Sequence, residues 1–72
     1  MDDVSLIIRR NKRASDSKLI LSNRFIQITP SSVYQLAHLV ILDFSSNKIS
    51  QLDINVLNLP NLKIFDVSSN NI

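Results

Sequence analysis

The stretch Leu39-Val40-Ile41-Leu42-Asp43-Phe44-Ser45-Ser46-Asn47-Lys48-Ile49 recurs 23 residues later as Leu62-Lys63-Ile64-Phe65-Asp66-Val67-Ser68-Ser69-Asn70-Asn71-Ile72. The same shift, applied backwards, brings Leu19, Leu21 and Ile26 into the columns of Leu42, Phe44 and Ile49. The register also holds between these stretches: Val33 aligns with Val56, Tyr34 with Leu57, Leu36 with Leu59 and Leu39 with Leu62. A solvated loop has no reason to keep such a step, so the chain encodes a stack of repeated units.

Each unit opens on an alternating segment, Leu19-Ile20-Leu21, Leu42-Asp43-Phe44 or Phe65-Asp66-Val67. A period of two sends its apolar residues to one face and the residue between them to the other, which predicts three short parallel strands. A polar turn follows, Ser45-Ser46-Asn47 or Ser68-Ser69-Asn70, and an apolar residue two positions on returns the chain to the core. The amide of Asn both donates and accepts, so Asn47 and Asn70 are expected to satisfy the backbone groups of these turns as a stacked ladder. The first unit departs from the pattern. Arg24 occupies the Asn column and Asn23 stands one place early, so the first turn either shifts by a residue or is bonded differently.

On these residues the chain resembles the leucine-rich repeat, L-x-x-L-x-L-x-x-N-x-I/L. Leu39, Leu42, Phe44, Asn47 and Ile49 match that pattern, and Leu62, Phe65, Val67, Asn70 and Ile72 match it again. The unit length and the segment Ile28 to Leu36 resemble intracellular repeats of the Ras-suppressor and Ras-scaffold type. The resemblance implies an α/β solenoid, a right-handed β-α superhelix, acting as a rigid, non-catalytic scaffold that binds another protein on its concave strand face. It further implies an association with small-GTPase signalling. That face is expected to carry Lys18, Ile41 and Ile64 in one column, Ile20, Asp43 and Asp66 in the next, and Ser22, Ser45 and Ser68 in a third. Parallel strands lie about 4.8 Å apart, so Asp43 and Asp66 are expected to face each other. Neighbouring carboxylates raise one another's pKa, which marks either an acid/base dyad or a socket for a partner's Arg or Lys. The isoleucines offer a β-branched apolar patch for the same partner.

Between strands, Ser31 or Ser32 is expected to cap a short helical turn that packs Val33, Leu36 and Leu39 inward, with a second copy over Ile54 to Leu59 ended by Pro60. Before the repeats, Asp2 and Asp3 sit where negative charge favours a helix start. Arg9, Arg10, Lys12 and Arg13 crowd the other end, and Val4, Ile7 and Ile8 share a face. Residues 3 to 13 are therefore read as a helix covering the open edge of the first repeat. The division is 1–16 for the capping helix and basic segment and 17–72 for the repeats, at about 17–39, 40–62 and 63–72. No counterpart protects the carboxyl edge near Ile72, so the chain is either the amino-terminal part of a longer repeat protein or self-associates there.

Composition narrows the chemistry. The 72 residues contain no cysteine and no glycine, one histidine and a single methionine. Disulfides, thiolate metal sites and Cys nucleophiles are excluded, as are Gly-rich phosphate loops, and a metal cluster has few ligands to draw on. His38 has nothing near it in sequence to complete a triad. No enzyme activity, cofactor, metal or small-molecule substrate is expected. Net charge is +2, concentrated in Arg9, Arg10, Lys12 and Arg13, while residues 19 to 72 balance three basic against three acidic side chains. The basic cluster suits a helix end more than a nucleic-acid or membrane tether, since no aromatic residue is interleaved to stack on bases. The amino-terminal apolar run is too short for a signal-peptide core or a membrane span. With no N-x-Ser/Thr acceptor and no cysteine, the chain is read as cytoplasmic, although a piece of a secreted protein shares those features.

Overall fold

Asp3 in the first turn and Lys12 and Arg13 in the last complement a helix dipole, and the chain forms α1 over Asp3–Ala14. The computed structural model describes residues 3–72. Asp2, grouped above with Asp3, lies outside the described residues, as does Met1. Three strands follow, β1 (Lys18–Ile20), β2 (Ile41–Asp43) and β3 (Ile64–Asp66), in one open parallel sheet of order β1-β2-β3. Lys18 lies beside Ile41 and Ile41 beside Ile64, so each residue neighbours the one 23 positions on. The protein is thus a small α/β unit with one α-helix and a three-stranded parallel sheet. Among the described residues, no helix is long and apolar enough to cross a membrane.

The strands start and stop one residue earlier than alternation alone predicts. Val40 and Ile41 N–H both donate to Ser17 carbonyl, and Lys63 and Ile64 N–H both donate to Val40 carbonyl, which brings the first strand residue into the ladder. At the far end the Asp43 carboxylate accepts from Ser45 N–H at 2.8 Å and the Asp66 carboxylate from Ser68 N–H at 2.9 Å, turning the chain at once. Leu21 and Phe44 still donate across the sheet, to the carbonyls of Asp43 and Asp66. The inward positions remain as expected: Leu19, Leu21, Leu42 and Phe44 are buried together with Val33, Leu36, Leu39 and Ile49.

Two 3-10 turns, Ser31–Gln35 and Ile54–Asn58, cover the back of the sheet. Neither Ser31 nor Ser32 caps the first. Its cap position is Pro30, whose fixed φ of −66° already suits a helix start, and no side chain bonds there. In the second turn Asp53 stands at that position and accepts from Asn55 N–H at 2.9 Å. The Tyr34 hydroxyl, on the first turn, donates to Thr29 Oγ1 at 2.8 Å.

Helix α1 closes the β1 edge. Ile8 is buried and Val4 and Ile7 pack against the core. One turn on from Ile7 and Ile8, Asn11 is buried too, and its amide donates to the carbonyls of Asp16 at 3.1 Å and Lys18 at 2.8 Å. Ile41 N–H points back to Ser17, so the equivalent groups of Lys18 point away from β2, where Asn11 takes the carbonyl and the Asp16 carboxylate the N–H in place of a preceding strand.

The turns are held by Asn47, which is only 4% exposed. Its Oδ1 accepts from Arg24 N–H at 2.9 Å and Ile26 N–H at 3.1 Å, while Nδ2 donates to the carbonyls of Leu21, Phe44 and Ser45. Asn70 repeats the arrangement one unit later, taking Ile49 N–H and donating to Phe44, Val67 and Ser68. Each Asn therefore ties its own turn to the preceding one, and the Phe44 carbonyl is shared by both. The first turn has no predecessor to bind, so Arg24 in its Asn column costs nothing. Asn23 keeps the left-handed backbone of its column, φ 57° beside 56° at Ser46 and 55° at Ser69, so the turn does not shift. It differs in bonding and in a second left-handed residue, Phe25 at φ 58°.

Two outcomes follow from this packing. Asn47→Ala strands the Arg24 and Ile26 N–H groups and the buried Leu21 carbonyl, while Asn70 still reaches Phe44, and is expected to cost about 3 kcal/mol. Asn70→Ala, half-buried beside water, is expected to cost about 1 kcal/mol, so equal losses on thermal unfolding would contradict the ladder. Burial, opposed by the Thr29 bond, raises the Tyr34 hydroxyl above the ordinary tyrosine value. Because the raised group favours the neutral form in the fold, its contribution is present below about pH 10 and lost as pH rises through the folded value. Tyr34→Phe is therefore expected to flatten the fall in melting temperature above that pH.

Candidate functional site

Alternation across the pleat sends Leu19, Leu42 and Phe65 to the core and leaves their neighbours on the opposite face of the sheet. That face holds Lys18, Ile41 and Ile64 in one hydrogen-bond row and Ile20, Asp43 and Asp66 in another, the columns anticipated from the sequence. Ile20 and Ile64 are 47% and 54% exposed, Ile41 is half-buried between them, and Lys18 is exposed. Ser45 is half-buried and Ser68 exposed at the carboxyl end of the same face. The sheet thus pairs six of the nine anticipated residues in two rows, with the half-buried Ser22 as well as Ser45 and Ser68 two positions beyond the strands, whereas Asn47 and Asn70 act as turn staples.

Each of the two carboxylates is bonded within its own turn. Asp43 is turned to Ser45 N–H, and Asp66 takes both the N–H and the hydroxyl of Ser68, the latter at 2.7 Å. The Ser68 hydroxyl first, and its N–H second, hold Asp66 below the ordinary aspartate value. The expectation of a raised carboxyl is therefore corrected at Asp66: its local donors favour the charged form, opposite to what a general acid requires. What the row presents instead is fixed negative charge beside a strip of isoleucine, suited to a cation and an apolar group on a partner.

Several residues escaped the sequence reading. Asn11 sits inside the cationic run, yet its spacing from Val4, Ile7 and Ile8 continues the apolar stripe of α1, and that periodicity marks it as inward. Its Oδ1 accepts from His38 Nε2 at 2.7 Å, since its amide nitrogen already donates to two carbonyls. His38 is accordingly a half-buried clasp between the loop ahead of β2 and the helix. Arg9, Arg10, Lys12 and Arg13 are all exposed on the outer side of α1. Phe25 and Ile28 are exposed apolar side chains in the first turn region, and the repeat marks them as outward, since one step on their columns hold the exposed Lys48 and Gln51.

Removing the Ser68 hydroxyl tests the electrostatics of the face. In Ser68→Ala the backbone donor stays and the larger cause of the shift goes, so the Asp66 carboxyl is expected to titrate higher, toward the ordinary aspartate range near 3.9. Carbon-detected NMR titration reads this directly, and an unchanged or lower value would refute the assignment. No protein-family model matches this chain, nor does any curated protein.

Proposed function

We propose that this chain is a short leucine-rich repeat solenoid of the intracellular, cytoplasmic type, a non-catalytic scaffold whose exposed strand face binds another protein. The observation that carries the reading is the in-register face itself, with Ile20, Ile41 and Ile64 beside Asp43 and Asp66 on a rigid sheet. Exposed β-branched residues on a hydrogen-bonded sheet lose little freedom on binding, and the carboxylates supply direction and specificity. Ile41 and Asp43 are its centre, with Lys18, Ile20, Ser45, Ile64, Asp66 and Ser68 around them. The Asn turns support the same reading, because their bonds repeat at the step of the strands. A small GTPase or another signalling protein is the partner class that the resemblance of the sequence implies.

The test is a double variant that leaves the turn chemistry in place. Asp43→Asn retains an oxygen for Ser45 N–H while removing the charge, and Ile41→Ser removes the half-buried apolar centre of the row. Against purified small GTPases in their GDP- and GTP-bound states, the double variant is expected to bind at least about tenfold more weakly than the wild-type chain, equivalent to about 1.4 kcal/mol. Its circular-dichroism spectrum and melting temperature are expected to stay close to wild type. Collapse of the fold would show the two residues to be structural, and unchanged binding would remove the face from consideration.

A further inference from the structure

Among the described residues, positions 12–18 form the longest run that is exposed at every residue, and Ser15 stands at its middle. Ser15 follows Ala14, the last residue of α1, with a left-handed φ of 53° that ends the helix. Among the described residues no partner holds its hydroxyl. The neighbouring Ser17 is tied into the sheet, because its carbonyl takes the N–H groups of Val40 and Ile41.

The charge ahead of this hydroxyl is just as distinctive. Arg13 and Lys12 lie two and three positions before it, and Arg10 and Arg9 five and six. All four are exposed, and among the described residues none is engaged in an ion pair. No other serine or threonine of the chain has a cation at both of the nearer positions: Ser50 has Lys48 alone, and the nearest cation preceding Ser17 is four residues back. A protein kinase with carboxylates in its peptide groove selects its acceptor by such cations, which pair with them through charge-assisted hydrogen bonds. Access needs only local opening. Such a groove takes an extended segment, so Lys12, Arg13 and Ala14 leave the last helical turn, the part of a helix that frays most easily, while Ile8 and Asn11 stay packed.

We propose that Ser15 is a phosphorylation site for a basic-directed serine kinase, and that the phosphate loosens α1 from the β1 edge. The step forms a bond between Ser15 Oγ and the γ-phosphorus of ATP and breaks the bond from that phosphorus to the β–γ bridging oxygen, which leaves on ADP. The hydroxyl proton passes to a carboxylate of the kinase. The corner so modified is the one that clasps helix to sheet: the Asn11 amide donates to the carbonyls of Asp16 and Lys18, and the Asp16 carboxylate takes Lys18 N–H. A phosphoserine carries about −1.5 to −2 charges at pH 7. One residue past the end of α1, it opposes the negative pole of the helix dipole and draws Lys12 and Arg13 away from the helix end that they complement. It also repels the Asp16 carboxylate beside it, against the bond that carboxylate makes to Lys18 N–H. Nothing in this site involves the strand face.

The folded full chain and a synthetic peptide of residues 9–20 are each incubated with ATP and the catalytic subunit of cyclic-AMP-dependent protein kinase, and mass spectrometry reads the site and the initial rate. The folded chain is expected to gain one phosphate, on Ser15, at a rate within about tenfold of the peptide's, because only the last helical turn has to open. A Lys12→Gln, Arg13→Gln chain is expected to react at least about tenfold more slowly than wild type. The purified phosphorylated chain is expected to melt about 4 °C below the unmodified one. Phosphate on another serine, a folded chain slower than the peptide by more than about tenfold, or a double variant as fast as wild type would overturn the site. A phosphorylated chain that melts at or above the unmodified temperature would overturn the loosening of α1.

Discussion

Asn47 joins two turns that are far apart in sequence by bonding to the backbone of both, and the rest of the structure hangs on that bridge. Without it, the N–H groups of Arg24 and Ile26 and the carbonyl of Leu21 lose their partner, and Ile26 and Leu21 lie in the core. Such groups cost more than a small domain can spare, because a chain of this length buries only about 60% of its unfolded surface. The amide bonds to five backbone groups, accepting from two and donating to three, which no carboxylate can do. Among the described residues, no buried side-chain polar atom lacks a partner. In a chain without disulfides, close polar accounting of this kind is what lets three-residue strands persist.

Much of this was legible in the sequence, and for a definite reason. A repeat states its own alignment, so the columns of Leu19, Leu42 and Phe65, and of Lys18, Ile41 and Ile64, emerged before any backbone was known, and the sheet register reproduces them. What escaped is what occurs once. Asn11 has no repeat-mate, and its polar side chain disguised an inward position. The cap at Asp53 stood in the column of Pro30, so neither position announced the other's role. The electrostatics of Asp66 were misjudged because a neighbouring carboxylate one strand away was weighed, whereas Ser68 two residues along sets the charge state. Local donors at 2.7–2.9 Å outweigh a like charge across an exposed sheet.

The two edges of the sheet are managed in different ways. At β1 a helix supplies apolar cover, while the Asn11 amide takes the Lys18 carbonyl and the Asp16 carboxylate its N–H. At β3 the same columns continue outward, with the side chains that would pack the next layer already in place. The strand face is unaffected by that difference, since its residues point across the layers and not along them. Surface for a partner and surface for stacking are therefore separate properties of the same three strands.

The sharing of the Phe44 carbonyl between Asn47 and Asn70 has an implication for how such a chain changes over generations. Both amides reach that oxygen only while the units keep equal length. Losing or gaining a single residue within a strand and its Asn turn would send the side chains that follow to the wrong face, because strand faces alternate. Point replacements on the open face are cheap, whereas single-residue indels within a strand and its turn are not. Growth or shrinkage of this architecture is thus confined to whole units, copied or deleted as blocks.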